Sequence, residues 1–228
     1  MALRAIVFDF DGVIANSEPL HFSAFRDVLA EEQVVLTEAD YYAKYLGYDD
    51  VGVFEAVGAA HGWTRPRVAG LVARKAVRLE ALERGTSILF PGAAAAIRRA
   101  SAAMPIAVAS GAIGVEIRRI LGREQLIDCF TAIVAAEDVP VNKPAPDPYL
   151  RAVALLAGAC GGRLAAAECV AIEDSRWGLE SARAAGLRTV AVTQTYDAAG
   201  LAGAADLIID SLEALDLAAL ARLCTDRT

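Results

Sequence analysis

"AIVFDFDGVIANSE" (residues 5–18) runs from an apolar strand-like start into two carboxylates, Asp9 and Asp11, followed at once by Gly12. Ala5 to Phe8 lack polar alternation, which suits a strand buried on both faces of a parallel sheet. Two acids so close raise each other's pKa unless something positive stands nearby. Their position just past a strand end marks the edge where open parallel sheets bind ligands.

Five more apolar runs follow: 105–110, 130–136, 168–173, 188–193 and 206–210. Helix-like segments lie between most of them, at 92–101, 112–121, 147–158, 175–185 and 211–222. Gly186 is placed to end the fourth as a C-terminal cap. The alternation predicts an α/β fold with a doubly wound, Rossmann-like parallel sheet. Residues 17–87 break the pattern, with helical periodicity at 17–31, 37–46, 50–61 and 65–84 and no convincing strand. Thr37 with Asp40, and Thr64 before Pro66, read as helix starts. This segment is predicted to be an inserted helical cap domain, with residues 1–16 and 88–228 forming the core. The hinges are expected near Ala15–Glu18 and Gly85–Gly92, where "RGTSILFPG" interrupts the helix.

The chain has 228 residues, 56% of them apolar, enough for a large core without staples. Its net charge of −7 argues against a general nucleic-acid partner. A small anionic substrate stays compatible, because a local pocket can oppose the global charge. The cysteines at 129, 160, 169 and 224 form no C-x-x-C and no Cys/His cluster, so they read as buried small residues in a reducing compartment. No signal peptide or membrane-length apolar run is evident, so a cytoplasmic protein without a membrane partner is expected, a monomer or weak homo-oligomer.

Four predicted strand ends gather chemistry on one sheet edge. The first carries Asp9 and Asp11, the second Ser110 and Gly111, and the fourth Glu173 and Asp174. The loop after the third carries Lys143. Asp9 is a candidate nucleophile and Asp11 a candidate acid and base. Four carboxylates around one point call for a hard cation, and all-oxygen ligands favour Mg²⁺. Ser110 precedes a helix whose free N–H groups would form an anion site, and Lys143 adds a positive charge. Taken singly, Ser110 is a helix cap, Lys143 a loop lysine and Glu173–Asp174 a helix-start pair. The functional reading rests on their coming together.

"DFDGVIANSE", "VASG", "NKPAPDPYL" and "AIEDSRWGLESARAAG" resemble the four ordered motifs of the haloacid dehalogenase-like hydrolase superfamily. The helical insertion is similar to the cap of its phosphatase and β-phosphoglucomutase branch. The resemblance implies that Asp9 forms an aspartyl-phosphate, while Asp11 protonates the leaving oxygen and then activates water. It implies a Mg²⁺ held by the Asp9 carboxylate, the Asp11 main-chain carbonyl and Asp174, with Glu173 supporting directly or through water. Ser110, Gly111 and Lys143 would hold the phosphoryl group, with Lys143 also neutralising Asp9. The expected activity is Mg²⁺-dependent hydrolysis of a small phosphorylated metabolite, such as a sugar phosphate or phosphoglycolate.

The presence of Asp11 disfavours a true dehalogenase, and no cap lysine (Lys44 or Lys75) stands in a recognisable phosphonatase context. A sugar phosphomutase is the main alternative. "PLHF" places His21 near the hinge, and "ARKAVRLEAL" carries Arg74 and Lys75 in a similar cap helix. The loop "YLGYDD" departs, offering Asp49 and Asp50 where a mutase has an arginine for a second phosphate. His21, Tyr48, Asp49, Arg74 and Lys75 are therefore the substrate candidates of the cap. Their bland readings are core packing for the tyrosine and a solvated helix face for the charges. A non-catalytic binding protein should have lost Asp9, Asp11, Lys143 or Asp174, and all four are present. A dinucleotide-binding oxidoreductase would need a G-x-G-x-x-G after the first strand, which is missing.

Overall fold

The computed structural model describes residues 2–46, 48–84 and 87–225. Gly85 of the expected second hinge and Gly47 of the Tyr45–Asp50 loop lie outside the described residues. In chain order, β1 (Ala5–Phe8) precedes helices α1 (Glu18–Glu31), α2 (Glu38–Lys44), α3 (Asp50–Gly58) and α4 (Arg65–Glu83). Then come α5 (Ala93–Ala103), β2 (Ile106–Ala109), α6 (Gly114–Arg123), β3 (Ala132–Val134), α7 (Asp147–Ala159) and β4 (Cys169–Glu173). The chain finishes with α8 (Arg176–Ala184), β5 (Arg188–Val192), α9 (Ala198–Leu201), β6 (Leu207–Ile209) and α10 (Leu217–Thr225). It divides into two compact units, Met1–Asn16 with Leu89–Thr228, and Ser17–Ile88.

The first unit is built on a parallel six-stranded sheet of order β3-β2-β1-β4-β5-β6. Every residue of β1 is buried, as the unbroken apolar run requires. Val7, Ala107, Ala109 and Ala171 pack with Tyr149, Ala152 and Leu156 of α7 and Ala182 of α8. Chain order reverses at β1, which pairs with β2 on one side and β4 on the other. The register Phe8↔Ile172 sets the next residues, Asp9 and Glu173, side by side at the crevice where such sheets bind ligands.

Local signals decide where the helices begin and end. Gly186, at φ +88°, ends α8. Its N–H donates to Arg183 O at 2.9 Å and that of Leu187 to Ala182 O at 3.1 Å, a Schellman closure. The single helix expected over 211–222 is two pieces, a short 3₁₀ turn at Leu212–Ala214 and α10. The run holds two start signals. Ser211 Oγ accepts from Glu213 N at 3.3 Å, and Asp216 Oδ1 accepts from Ala218 N at 2.9 Å. Where the first unit's chain leaves and returns, Ala15 bridges Leu89 and Phe90 N–H donates to Ile14 O at 3.0 Å.

The second unit is helical, with a core of Phe22, Phe25, Val28 and Leu29 from α1, Tyr41 from α2, Val53 and Phe54 from α3, and Val68 and Leu71 from α4. Thr37 Oγ1 caps α2 by accepting from Asp40 N at 3.1 Å. The helix expected over 50–61 ends at Gly58 and tightens into a 3₁₀ turn over Ala59–His61. Cys169 and Cys224 are buried, Cys129 and Cys160 are partly exposed, and none of the four is in a disulfide. Among the described residues no helix is long and apolar enough to cross a membrane.

Candidate active site

Asp9 follows β1 and is tied to β4 by its N–H, which donates to Ile172 O at 2.9 Å. Its Oδ1 accepts from Phe10 N at 2.7 Å and pairs with Lys143 Nζ at 2.8 Å. Lys143 also pairs with Glu173 Oε1 at 2.6 Å. One ammonium thus serves two buried acids contributed by different strands. Ligand oxygens of Asp9, Glu173 and Asp174 all lie within 4.8 Å of one another. Among the described residues this cluster holds three acids, one fewer than the sequence suggested. Asp11 is the absentee, half-buried on the turn beyond β1.

Asp9 and Asp174 show what this crowding costs. Burial and then the charge of Glu173 push the Asp9 carboxyl well above the usual range, against the pull of Lys143. Burial and Glu173 likewise push Asp174 up to about 7, opposed by the Thr195 hydroxyl and Lys143. Burial alone would lower the Lys143 ammonium, but Asp9 and Glu173 outweigh it and hold it above the ordinary lysine range. The donor set therefore fits a divalent hard cation, whose charge would offset the mutual repulsion of three buried oxygen-bearing side chains. Asp9 and Asp174 would hold it, and their carboxylates are the chemistry such an ion selects.

Three residues that support the site escaped the sequence reading. Thr195, just beyond β5, donates its hydroxyl to Asp174 Oδ2. Tyr149, fully buried on α7, donates to Glu173 Oε1 at 2.6 Å. Gly178 on α8 is bare where the Glu173 carboxylate lies, so that any Cβ there would overlap it. Thr195 was findable, since it stands past a strand end like the others, and Tyr149 lies within "NKPAPDPYL". Gly178 carried no readable signal.

The expected phosphate-binding side differs in detail. Ser110 is buried at the end of β2, but it does not cap α6, which begins four residues later with Ile113 at its N-cap. Ser110 Oγ instead accepts from Ala112 N at 3.0 Å. The Gly114 N–H of α6 is given to Glu137 Oε1 at 2.9 Å, so an acid occupies one amide of this helix start. Gly111 is exposed and faces open space.

The candidates of the helical unit separate as well. Asp49 is the N-cap of α3, accepting from Gly52 N at 2.7 Å, a role its position before a helix explains. Lys75 is not on a solvated face. It follows Val68 and Leu71 along the apolar stripe of α4 and is 1% exposed. There it pairs with Asp50 Oδ1 at 2.7 Å, contacts His21 Nδ1 at 2.8 Å and sits 4.7 Å from the Phe25 ring centroid. Asp50 is therefore neutralised rather than an open acid. Arg74 does lie on the surface, paired with Glu31 and Glu32 at 2.8 Å each. Tyr48 is exposed rather than in the core, with its ring against Tyr45.

The chain matches the haloacid dehalogenase-like hydrolase family over residues 6–192. It is 33% identical to protein CbbY of Rhodobacter capsulatus over 98% of this chain and 100% of the relative. It is 30% identical to hexitol phosphatase B of Escherichia coli over 83% of each chain. The crystal structure of a CbbY variant from Rhodobacter sphaeroides in complex with xylulose-(1,5)bisphosphate superposes with a TM-score of 0.79 at 28% identity, covering 96% of this chain and 99% of that one.

Proposed function

The chain belongs to the haloacid dehalogenase-like hydrolase family, and on that premise we propose that it is a Mg²⁺-dependent phosphatase acting on a small sugar or sugar-alcohol phosphate. The observation that carries this reading is Lys143 Nζ, 2.8 Å from Asp9 at the rim of a three-acid cluster. The relatives named for hexitol phosphatase activity, and the bisphosphate bound to a CbbY, support the substrate class.

In this reading the Asp9 carboxylate attacks phosphorus. Asp11 gives a proton to the departing sugar oxygen as its bond to phosphorus breaks, and an aspartyl-phosphate remains on Asp9. The Asp11 carboxylate then takes a proton from water. That water attacks the same phosphorus, releasing inorganic phosphate and restoring Asp9. Lys143 favours the ionised form of Asp9 against burial and Glu173 and offsets charge on the phosphoryl oxygens, with Ser110 and the Gly111 amide as further partners. Asp9, Asp174 and the Asp11 main-chain carbonyl would hold Mg²⁺, which would supply positive charge to the phosphoryl group.

The test is hydrolysis of an aryl phosphate with and without Mg²⁺, by native protein and Asp9→Asn, followed by a panel of ketose bisphosphates, hexitol phosphates and phosphoglycolate. Metal-dependent release of phosphate that disappears in Asp9→Asn is expected. Turnover surviving the substitution would remove the nucleophile from this scheme. A sugar phosphomutase is the second reading, favoured by the pairing of Asp50 with Lys75, which takes away one of the acids that would repel a second phosphate. The same panel separates the two, because a mutase returns an isomeric sugar phosphate without net phosphate release.

A further inference from the structure

The amino ends of β5 and β6 lie at the edge of the sheet opposite to Asp9, because all six strands are parallel and Asp9 follows the carboxyl end of β1. There a cavity of about 380 Å³ is lined by Arg188 at the start of β5, Asp206 and Leu207 at the start of β6, and Ala219, Arg222 and Leu223 of α10. The last three stand at i, i+3 and i+4, so they share one face of the helix. Leu220 and Cys224, on the neighbouring face, are buried. Small-molecule sites span roughly 300–1,000 Å³, and this cavity falls within that range.

Its charge runs against that of the whole molecule. Two guanidiniums and one carboxylate line it, a single positive excess on a chain of net charge −7. Asp206 is held by Thr189 more closely than by Arg188. Its Oδ2 accepts from the Thr189 N–H at 2.7 Å and the Thr189 hydroxyl at 3.1 Å, while Oδ1 stands 3.7 Å from the Arg188 guanidinium. Arg222 is 3.9 Å from Asp216, an acid outside the cavity lining, and its side chain is 66% exposed. Both ion-pair separations exceed hydrogen-bond length. Leu207, Ala219 and Leu223 supply an apolar wall.

We propose that this cavity binds an organic carboxylate, a monoanion whose head meets Arg188 and Arg222 and whose apolar body lies on Leu207, Ala219 and Leu223. A planar carboxylate matches the guanidinium fork. One negative charge balances the single positive excess, whereas an inorganic anion would leave the apolar wall unused. The site is separate from the edge that carries Asp9. β5 runs from Arg188 to Val192, and four steps of about 3.3 Å put that edge roughly 13 Å away. A carboxylate can therefore be held while the other edge stays open to substrate, and the proposal does not depend on the phosphatase reading.

The probe is cinnamate, titrated into the full chain by calorimetry, with the neutral cinnamamide as its uncharged counterpart. Saturable binding of the acid at one site is expected, with the amide bound at least about tenfold more weakly. Arg222→Gln removes one contact to the head and is expected to weaken cinnamate about tenfold. Ala219→Phe fills the space along the apolar wall and is expected to weaken it at least as far, with the melting temperature close to that of wild type. A wild-type affinity in either variant overturns the proposal. So does equal binding of acid and amide, or the lack of saturable cinnamate binding below about 10 mM in the wild-type protein.

Discussion

The α-carbon of Gly12 faces the carboxylate of Asp174 so closely that a methyl group there would overlap it and crowd the Thr195 hydroxyl. Gly12 also holds φ +75°, a left-handed conformation that costs a side-chain-bearing residue about 1–3 kcal/mol. Gly12→Ala is expected to lose stability on that scale and to displace Asp174. Urea unfolding reads the first effect and a Mg²⁺ titration of activity the second. A wild-type Mg²⁺ response would show that Asp174 is not held by this contact.

Lys143 is the shared partner of Asp9 and Glu173, both buried. Lys143→Met leaves two buried acids facing each other, and removing one partner of a buried pair costs about 3–5 kcal/mol. Activity should fall about a hundredfold or more, as when a charge-stabilising donor is removed from an active site. Unfolding curves and steady-state rates on the aryl phosphate give both numbers.

Asp174, raised to about 7 by burial and Glu173, makes the metal-free protein pH-sensitive. The folded state holds this proton at pH values where the unfolded chain has lost it. Stability from this group is therefore full below the ordinary aspartate range and declines as pH rises toward 7. Thermal melts in chelator should drop between pH 5 and pH 8, and added Mg²⁺ should raise the melting temperature more at pH 8 than at pH 5. Equal stabilisation by Mg²⁺ at both pH values would contradict the assignment of Asp174 as a ligand.

In the helical unit, Lys75 binds Asp50 and His21 while sitting near the Phe25 ring. Lys75→Met keeps much of the volume and removes the charge, for an expected loss of about 1–3 kcal/mol. Asp50 is 31% exposed, so water can recover part of what it loses. Asp50→Asn in the Lys75→Met background should cost less than in wild type, and a double-mutant cycle measures that coupling.

All six strands were readable, because each lies in a short apolar run without polar alternation. The same runs placed Asp9, Lys143, Glu173 and Asp174 together, since a parallel sheet brings strand ends to one edge. What escaped depended on distances rather than runs. The N-cap role of Asp49 was not read, because a helix N-cap and a ligand residue use the same kind of side chain. Lys75 looked solvated because charge outweighed its place on the stripe of Val68 and Leu71. Ser110 looked like the start of a helix that Ile113 in fact begins, and Asp216 divided a helix that composition alone joined. Gly178 matters only because Glu173 needs its space, and no single-chain pattern announces such a vacancy.

The central strand is made first and gains its second neighbour only when β4 is made. β1 pairs through Ile6 with Ile106 and with Val170, so its neighbours are synthesised long after it. Such pairing across long stretches of chain is slow to form. A growing polypeptide therefore carries Asp9 without its cation or its acidic partners until Lys143 and then Asp174 have left the ribosome. On the proposed function, fragments ending before β4 carry Asp9 without Asp174 and are expected to release no phosphate. On that reading the proposed chemistry waits until residue 174 of 228 has been made, so the order of synthesis would delay it.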